Sequence, residues 1–461
     1  MADATGRSAA TRSPQGRRRG GAQLALLILA IIITLSAYVL VNLAREPAIP
    51  ADLAAYGGVL VALAAAAHIV VRRLAPHADP LLLPIAFLLN GIGLVMVRRI
   101  DHALAADNAL APLQTIWTMV GIGLFCGTVL LLRDHTVLDR YRYLIGLGAV
   151  IALMTPLLPV LGTDFGRGSR IWLRIPGGFS LQPGEFAKIG LVVFFASYLA
   201  EKRALLSAAT SRLGPLHVPP ARAFGPVAVA WGVSLGVLVF ERDLGLSLLV
   251  FGIFVAMLYM ATGRVAYVAV GGLLFGGGAF LSWTAFSHVQ TRVEIWLDPF
   301  ADAQGAGFQL VQSLFALGTG GVAGVGWGRG NPELIPDVPT DFIFAAIGEE
   351  LGLLGTTAIL LLYFLLVGRG FVIALRAPDD FSRLLAAGLT FVFALQVFVI
   401  VGGVTRLIPL TGITLPLVSY GGSSLLANYV LIALLVLISG ARRAQGRRAA
   451  SAALAGVATG P

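Results

Sequence analysis

Three carboxylates crowd one polar stretch of this chain, RVEIWLDPFADAQGAGFQLVQS at residues 292–313: Glu294, Asp298 and Asp302. Arg292 opens the same stretch. A carboxylate near a hydroxyl takes its proton, and cations placed where negative charge develops stabilise a departing anion. In QPGEFAKIG, Glu185 and Lys188 stand three residues apart, so they share a helix face and neutralise each other. That spacing suits either a helix-start ion pair or a lysine aimed at phosphate. FERDLG places Glu241, Arg242 and Asp243 between two apolar runs, as a polar hairpin or as part of a site. Glu349 and Glu350 fall inside an apolar helix expected to start at Thr340 and Asp341. At least one of the two must face a polar cavity or a cation, because a lipid-facing carboxylate is costly.

Two further stretches carry polar groups. PLTGITLPLVSYGGSSLLANY, 409–429, has Pro409, Pro416, Gly421 and Gly422, which imply a broken or re-entrant helix. Ser419, Tyr420, Ser423 and Ser424 would there line a cavity or satisfy freed backbone groups. GTDFGRGSRIWLRIPGGFSLQPGEFAK carries Arg167, Arg170 and Arg174, which either hold an anion or flank an interfacial helix around Trp172. The glycines of GTGGVAGVGWGRGN suit a backbone nest for phosphate, but no GxxxxGK[ST] loop accompanies them. With one cysteine, Cys126, and six histidines in no HxxxH or HExxH arrangement, a Cys- or His-ligated metal is not expected.

Membrane helices have to position these groups. Hydrophobic residues make up 57% of the 461 and charged residues only 12%, about half the ~25% of soluble domains. The net charge of +10 does not point to nucleic acid, since the arginines cluster at the termini and in short loops. Membrane topology and anionic lipid headgroups account for that pattern. Apolar runs of the ~20-residue spanning length recur near 23–44, 52–71, 80–97, 113–132, 143–162, 184–200, 223–240, 244–262, 264–286, 341–367, 383–404 and 414–439. The first is long enough to be a retained span rather than a cleaved signal peptide. The distribution of Lys and Arg puts both termini in the cytosol and the loops 163–183 and 287–340 outside. The expected organisation is a basic disordered tail at 1–22, two helices within 23–79, a membrane domain at 80–440, and a second disordered tail at 441–461.

Taken in order, SRIWLRIP…LQPGEFAK, RDLG, DPFAD…GAGFQLVQS, PTDFIFAAIGEELGLLG and PLTGITLPLVSYGGSS resemble the SEDS family of membrane glycosyltransferases (RodA, FtsW and SpoVE). The likeness runs over roughly residues 80–440 and is strongest toward actinobacterial RodA-type proteins. It implies an all-α polytopic fold: a ten-span core, two extra N-terminal helices, and a large extracellular loop between the ninth and tenth spans. It implies polymerisation of lipid II at the outer face of the plasma membrane during elongation and shape maintenance. The growing undecaprenyl-pyrophosphoryl glycan is then the donor, the GlcNAc 4-hydroxyl of lipid II the acceptor, and undecaprenyl pyrophosphate the leaving group. A class B penicillin-binding protein is the implied partner.

The family's essential loop aspartate falls on Asp302, the implied general base, although Ala303 follows it where many members have proline. Arg170, Lys188, Arg242 and Arg292 are candidates for the pyrophosphates. Asp243, Glu349 and Ser424 would shape the cavity, with Glu185 as the partner of Lys188. Asp298 is expected to shape the turn and Glu294 to pair with a nearby arginine. Ile400, Val401 and Gly402 stand where many members have Asn-Ile-Gly. No cofactor is assigned, and a divalent cation (Mg²⁺ or Mn²⁺) at the pyrophosphates stays open. A lipid II flippase or secondary transporter, a division polymerase of the FtsW type and a noncatalytic scaffold are the alternatives.

Overall fold

The structure is a computed structural model that describes residues 14–104, 109–158, 162–163, 170–175, 179–207, 211–213, 216–218, 232–233, 236 and 243–458. In hydrocarbon the backbone must satisfy its own polar groups, so the apolar runs become helices. In chain order they are α1 (Pro14–Leu43), α2 (Leu53–Leu74), α3 (Leu82–Leu104), α4 (Leu110–Leu131), α5 (Val137–Arg140), α6 (Arg142–Met154) and α7 (Pro183–Ser207). Then come α8 (Leu244–Thr262), α9 (Val265–Ala285), α10 (Ser287–Leu297), α11 (Phe308–Gly320), α12 (Ile343–Leu375), α13 (Asp380–Val404) and α14 (Gly422–Ala458).

Among the described residues nine helices are long and apolar enough to cross a membrane: α1 to α4, α8, α9, α12, α13 and the Gly422–Ala441 part of α14. The run at 143–162 becomes the shorter α6 and a 3₁₀ turn, Thr155–Leu157. The run at 184–200 lies within α7. Most of 223–240 lies outside the described residues.

The centre of the bundle is α3, α13 and α14, with 89%, 72% and 78% of their apolar windows buried against 22% for α2 and for α9. Small residues let these helices approach closely. A Cβ at Gly93 would strike the Val418 backbone, and one at Gly121 would strike the Tyr429 ring. α1 docks on α3 in the same way, with Gly91 under Thr34.

Several details differ from expectation. The chain is not purely helical: β1 (Gly162–Thr163), β2 (Trp172–Ile175) and β3 (Phe179–Leu181) form a small antiparallel sheet in that order, and β4 (Ser211–Leu213) pairs with β5 (Leu216–Val218). Trp172 is thus in a strand, not in an interfacial helix, because Pro176, Gly177 and Gly178 stop a helix just beyond it. The 287–340 loop contains α10 and α11. α12 starts at Ile343 rather than at Thr340, whose hydroxyl instead donates to the Asp337 carbonyl (3.0 Å).

The last span starts at Gly422 rather than near 414, since 405–421 is non-helical. Helix replaces the expected disorder within both tails, from Pro14 at one end and through Ala458 at the other. Proline suits a first helical turn, and Ala, Arg and Leu are strong helix formers.

Candidate functional site

The segment 405–421 crosses the bundle without regular structure, so its backbone groups need outside partners. Lone polar side chains on four helices supply them. Asn90 of α3 donates to the Leu417 carbonyl (3.3 Å), Gln114 of α4 to Ser419 (3.2 Å), Tyr363 of α12 to Pro416 (2.6 Å) and Gln396 of α13 to Thr414 (3.0 Å). Arg406, Gly412 and Leu417 hold positive φ of 61°, 76° and 68°. For Arg and Leu such angles are uncommon and persist only where the surroundings impose them.

The expected Glu185–Lys188 pair forms against this segment. Lys188 Nζ donates to Glu185 Oε2 (2.9 Å) and to Gln396 Oε1 (2.8 Å), with all three side chains buried. Gln396 therefore ties the lysine to the Thr414 carbonyl. Asp243, also buried, caps α8 by accepting from the Leu246 amide (2.9 Å). Burial pushes its carboxyl above the usual range, the Leu246 hydrogen bond and the Arg292 charge pull it down, and Glu185 and Lys188 act on it more weakly. Arg292 of α10 donates to the Leu410 carbonyl (2.8 Å). Burial lowers the pKa of its guanidinium, while Asp243 and Asp341 raise it.

Gly412 leaves room between Arg292 and Asp341, since a Cβ there would sit 3.6 Å from Arg292 Nη2 and 3.8 Å from Asp341 Oδ2. The hydroxyls of Thr411 and Thr414 are buried here without a hydrogen-bond partner. Ser424 lies beside Thr414 across Gly421 and accepts from Asn428 (2.8 Å to its carbonyl). Lys188, Glu185, Asp243, Arg292 and Ser424 thus gather around one segment.

The other expected residues sit elsewhere. Glu349 belongs to a second buried cluster on α3 and α12. Arg99 Nε donates to Glu350 Oε1 (2.7 Å) and Nη2 to the Gly330 carbonyl (2.6 Å). Glu350 Oε2 accepts from the Gly328 amide (2.8 Å) and Glu349 Oε1 from Asn331 (3.1 Å). The glycine-rich loop is no phosphate nest, because α12 already uses its amides: Val325 donates to the Glu349 carbonyl (3.0 Å) and Gly326 to that of Glu350 (2.9 Å). Arg170 is exposed at the edge of β2, and Arg167 and Arg242 lie outside the described residues.

The three loop acids differ from one another. Glu294 is exposed and joins no ion pair among the described residues, contrary to expectation. Arg292 is two positions away on the same helix, too far around it to meet Glu294. Asp298 accepts from the Phe300 amide (3.2 Å), which shapes the turn at Pro299. Asp302 is exposed, and its Oδ2 accepts from the Ala306 amide (2.8 Å). Gly305 is needed there, since a Cβ would collide with the Asp302 carboxylate.

Arg406 clamps the base of this loop: Nε donates to the Trp296 carbonyl (2.9 Å), Nη2 to that of Leu297, and Trp296 Nε1 returns a bond to the Arg406 carbonyl (3.2 Å). Sequence reasoning missed Arg99, Asn90, Gln114, Gln396 and Arg406. Their signal was a lone polar residue inside an apolar run or a cation at an outer helix end. Among the described residues no three His, Cys, Asp or Glu side chains converge as a metal site requires.

Residues 80–444 match the profile of the FtsW/RodA/SpoVE family, described as cell cycle protein. The chain is 48% identical to peptidoglycan glycosyltransferase RodA of Mycobacterium tuberculosis over 92% of each chain. It is 34% identical to stage V sporulation protein E of Bacillus subtilis over 78% of this chain and 96% of the relative. Among solved structures, one chain from a peptidoglycan synthase complex, studied for its coordination of polymerization and crosslinking, aligns with TM-score 0.61 and 27% identity over 79% of this chain and 98% of that one. The Thermus thermophilus rod shape determining protein RodA shares the fold, with TM-score 0.55 and 24% identity over 79% of this chain and 97% of that one.

Proposed function

Because this chain belongs to the FtsW/RodA/SpoVE family, we propose that it polymerises lipid II into peptidoglycan glycan strands. The observation that carries this reading is the 48% identity, over 92% of both chains, to proteins named peptidoglycan glycosyltransferase. In the proposed reaction the acceptor GlcNAc 4-hydroxyl attacks the anomeric carbon of the growing glycan. The new glycosidic bond forms as the bond to undecaprenyl pyrophosphate breaks, and the hydroxyl proton passes to a base.

Asp302 is our candidate for that base. Its exposure and its attachment through a single amide hydrogen bond leave one carboxylate oxygen open to a hydroxyl. Lys188, a buried cation, and Arg292, a half-buried one, are our candidates for the departing pyrophosphate, gathered at the segment whose Thr411 and Thr414 hydroxyls have no hydrogen-bond partner among the described residues. Asp243 and Glu185 moderate that positive charge. Glu349 we assign to holding the glycine-rich loop against α12 rather than to substrate. The active site faces the outside of the plasma membrane and both termini face the cytosol, a reading supported by the distribution of Lys and Arg. Lipid II and the growing glycan are the substrates. The partner is a class B penicillin-binding protein, in keeping with the synthase complex among the structural relatives.

The test is a polymerisation assay with purified full-length protein and lipid II, with and without chelator and the cognate penicillin-binding protein. Glycan polymer is expected. Lipid II crossing liposome bilayers with no polymer formed would replace this reading with transport.

A further inference from the structure

The family profile begins at residue 80, so α1 and α2 are additions to the part of the chain that it matches. Toward the end of the bundle that carries the 287–340 loop, these two helices build a small core of their own. Ala37, Tyr38 and Val41 of α1 are buried there with Val95 of α3, and Leu53 and Tyr56 of α2 pack against them. Trp327 of the glycine-rich loop packs into the same core. An interfacial tryptophan ordinarily meets lipid headgroups, whereas this one is turned into protein. Beside it Gly328, at φ 74°, lies against α1. A Cβ there would sit 2.7 Å from Ala44 Cβ and 3.1 Å from the Val41 carbonyl oxygen.

Polar contacts fix the walls of this core. Asp52 precedes α2, yet its side chain does not cap that helix. Its Oδ1 accepts from the Tyr38 hydroxyl (2.6 Å) and its Oδ2 lies 2.9 Å from Arg98 Nη2. The Arg98 guanidinium sits 4.6 Å over the Tyr38 ring, and Tyr38 stacks on Tyr56 with centroids 4.6 Å apart. Arg98 and Arg99 are consecutive on α3, and neighbouring helix positions point about 100° apart. One therefore serves α1 and α2 while the other serves Glu350 of α12. The glycine-rich loop is held from both sides. On the α12 side, the Leu353 and Leu354 amides donate to the Gly321 and Val322 carbonyls (2.9 and 3.1 Å). On the other side, α1 and α2 hold Trp327.

This loop follows directly on α11, a helix of 13 residues and so about 20 Å long. The far end of α11 is tied to the Asp302 turn, because the Gly307 amide donates to the Asp302 carbonyl (3.1 Å) and the Val311 amide to that of Gly307 (3.0 Å). A shift of the loop at one end of this rod is carried to the carboxylate at the other. On the reading that Asp302 is the base, we propose that α1 and α2 seat Trp327 and through it position α11 and the Asp302 turn. Trp327 is then a positioning residue that acts on kcat without touching substrate.

The test measures kcat and KM for lipid II in full-length protein, with hydrogen exchange of the Gly305, Ala306 and Gly307 amides alongside. Trp327→Ala should lower kcat about tenfold, a fraction of the ~10²-fold that a 1 Å misplacement can cost, with KM within about twofold of wild type. The three amides should exchange faster. Trp327→Phe should restore most of both. Tyr38→Leu should also lower kcat, and adding it to Trp327→Ala should lower kcat no further, since both act through one contact. Leu60→Ala, buried on α2 outside this core, should lower the melting temperature and leave kcat unchanged. Wild-type kcat in Trp327→Ala, beside a strongly impaired Asp302→Asn, overturns the proposal and leaves the polymerase reading standing. A kcat loss in Leu60→Ala as large as in Trp327→Ala also overturns it. If wild type forms no polymer, the polymerase reading falls and exchange alone decides: faster exchange in Trp327→Ala supports the clamp, and unchanged exchange overturns it.

Discussion

Two buried ionic clusters lie toward the same end of this bundle, and their chemistry differs because their partners differ. Around Arg99, the bonds go mostly to backbone: Glu350 takes the Gly328 amide as well as Arg99 Nε, and Arg99 also reaches the Gly330 carbonyl, while Arg99 Nη1 and Glu349 Oε2 have no hydrogen-bond partner among the described residues. That arrangement locks a loop to a helix. Around Lys188, the partners are side chains on separate elements, and the hydroxyls of Thr411 and Thr414 beside them stay unpaired. A buried charge in a membrane protein is thus not by itself a sign of substrate. What distinguishes the two is the kind of group left unpaired: around Arg99 it belongs to the locking charges themselves, whereas on the 405–421 segment it is a pair of neutral hydroxyls.

The comparison can be broken by substitution. The largest effect should come from Asp302→Asn, which is expected to lower lipid II polymerisation by about 10²- to 10⁴-fold, the usual contribution of a general base. Asparagine can still accept from the Ala306 amide, so the melting temperature should stay at the wild-type value. Normal polymer yield would remove Asp302 from the mechanism.

Next, Arg99→Met leaves Glu350 buried and unpaired, which should cost about 3–5 kcal/mol of stability. Adding Glu350→Leu should recover most of it in thermal melts. If the folded double variant makes no polymer, the Arg99 cluster belongs to the site after all and the contrast fails.

Lys188→Met combined with Glu185→Gln removes charge while keeping the pocket neutral, and should lower kcat/KM about 10²- to 10³-fold. Lys188→Arg should restore part of that loss if the charge matters more than the shape.

Smaller effects sharpen the picture. Gly352 interrupts α12 at φ 64° and ψ −164°, and a Cβ there would meet the Gly324 amide. Gly352→Ala should therefore lose about 1–3 kcal/mol in melting experiments. Thr411→Val should leave stability within about 0.5 kcal/mol. It should raise KM for lipid II about fivefold, as one lost hydrogen bond of ~1 kcal/mol would. An unchanged KM would mean that the unpaired hydroxyl plays no part in binding.

Local spacing made some of this legible in the chain. Glu185 and Lys188 are three residues apart, and a helix brings that spacing together whatever surrounds it. Asp298 before Pro299 signalled its own turn, as Pro409 and Pro416 signalled the broken segment before the last span. Other partners were invisible. Arg99 meets a glutamate 251 positions away, and Asn90 serves a carbonyl 327 positions away. Glu294 failed for the opposite reason: an arginine close in sequence points elsewhere around the helix.

By itself, then, the sequence determined the membrane class, the order of the helices, the family and the identity of the loop acids. The family rests on the resemblance of its ordered motifs, and the others on composition, periodicity or short-range spacing. The tertiary structure decided which charges share a cluster, which glycines strap α12, and which polar side chains carry the 405–421 backbone. Those outcomes depend on contacts between helices far apart in the chain. In a medium without water, every polar group there must find its partner within the protein.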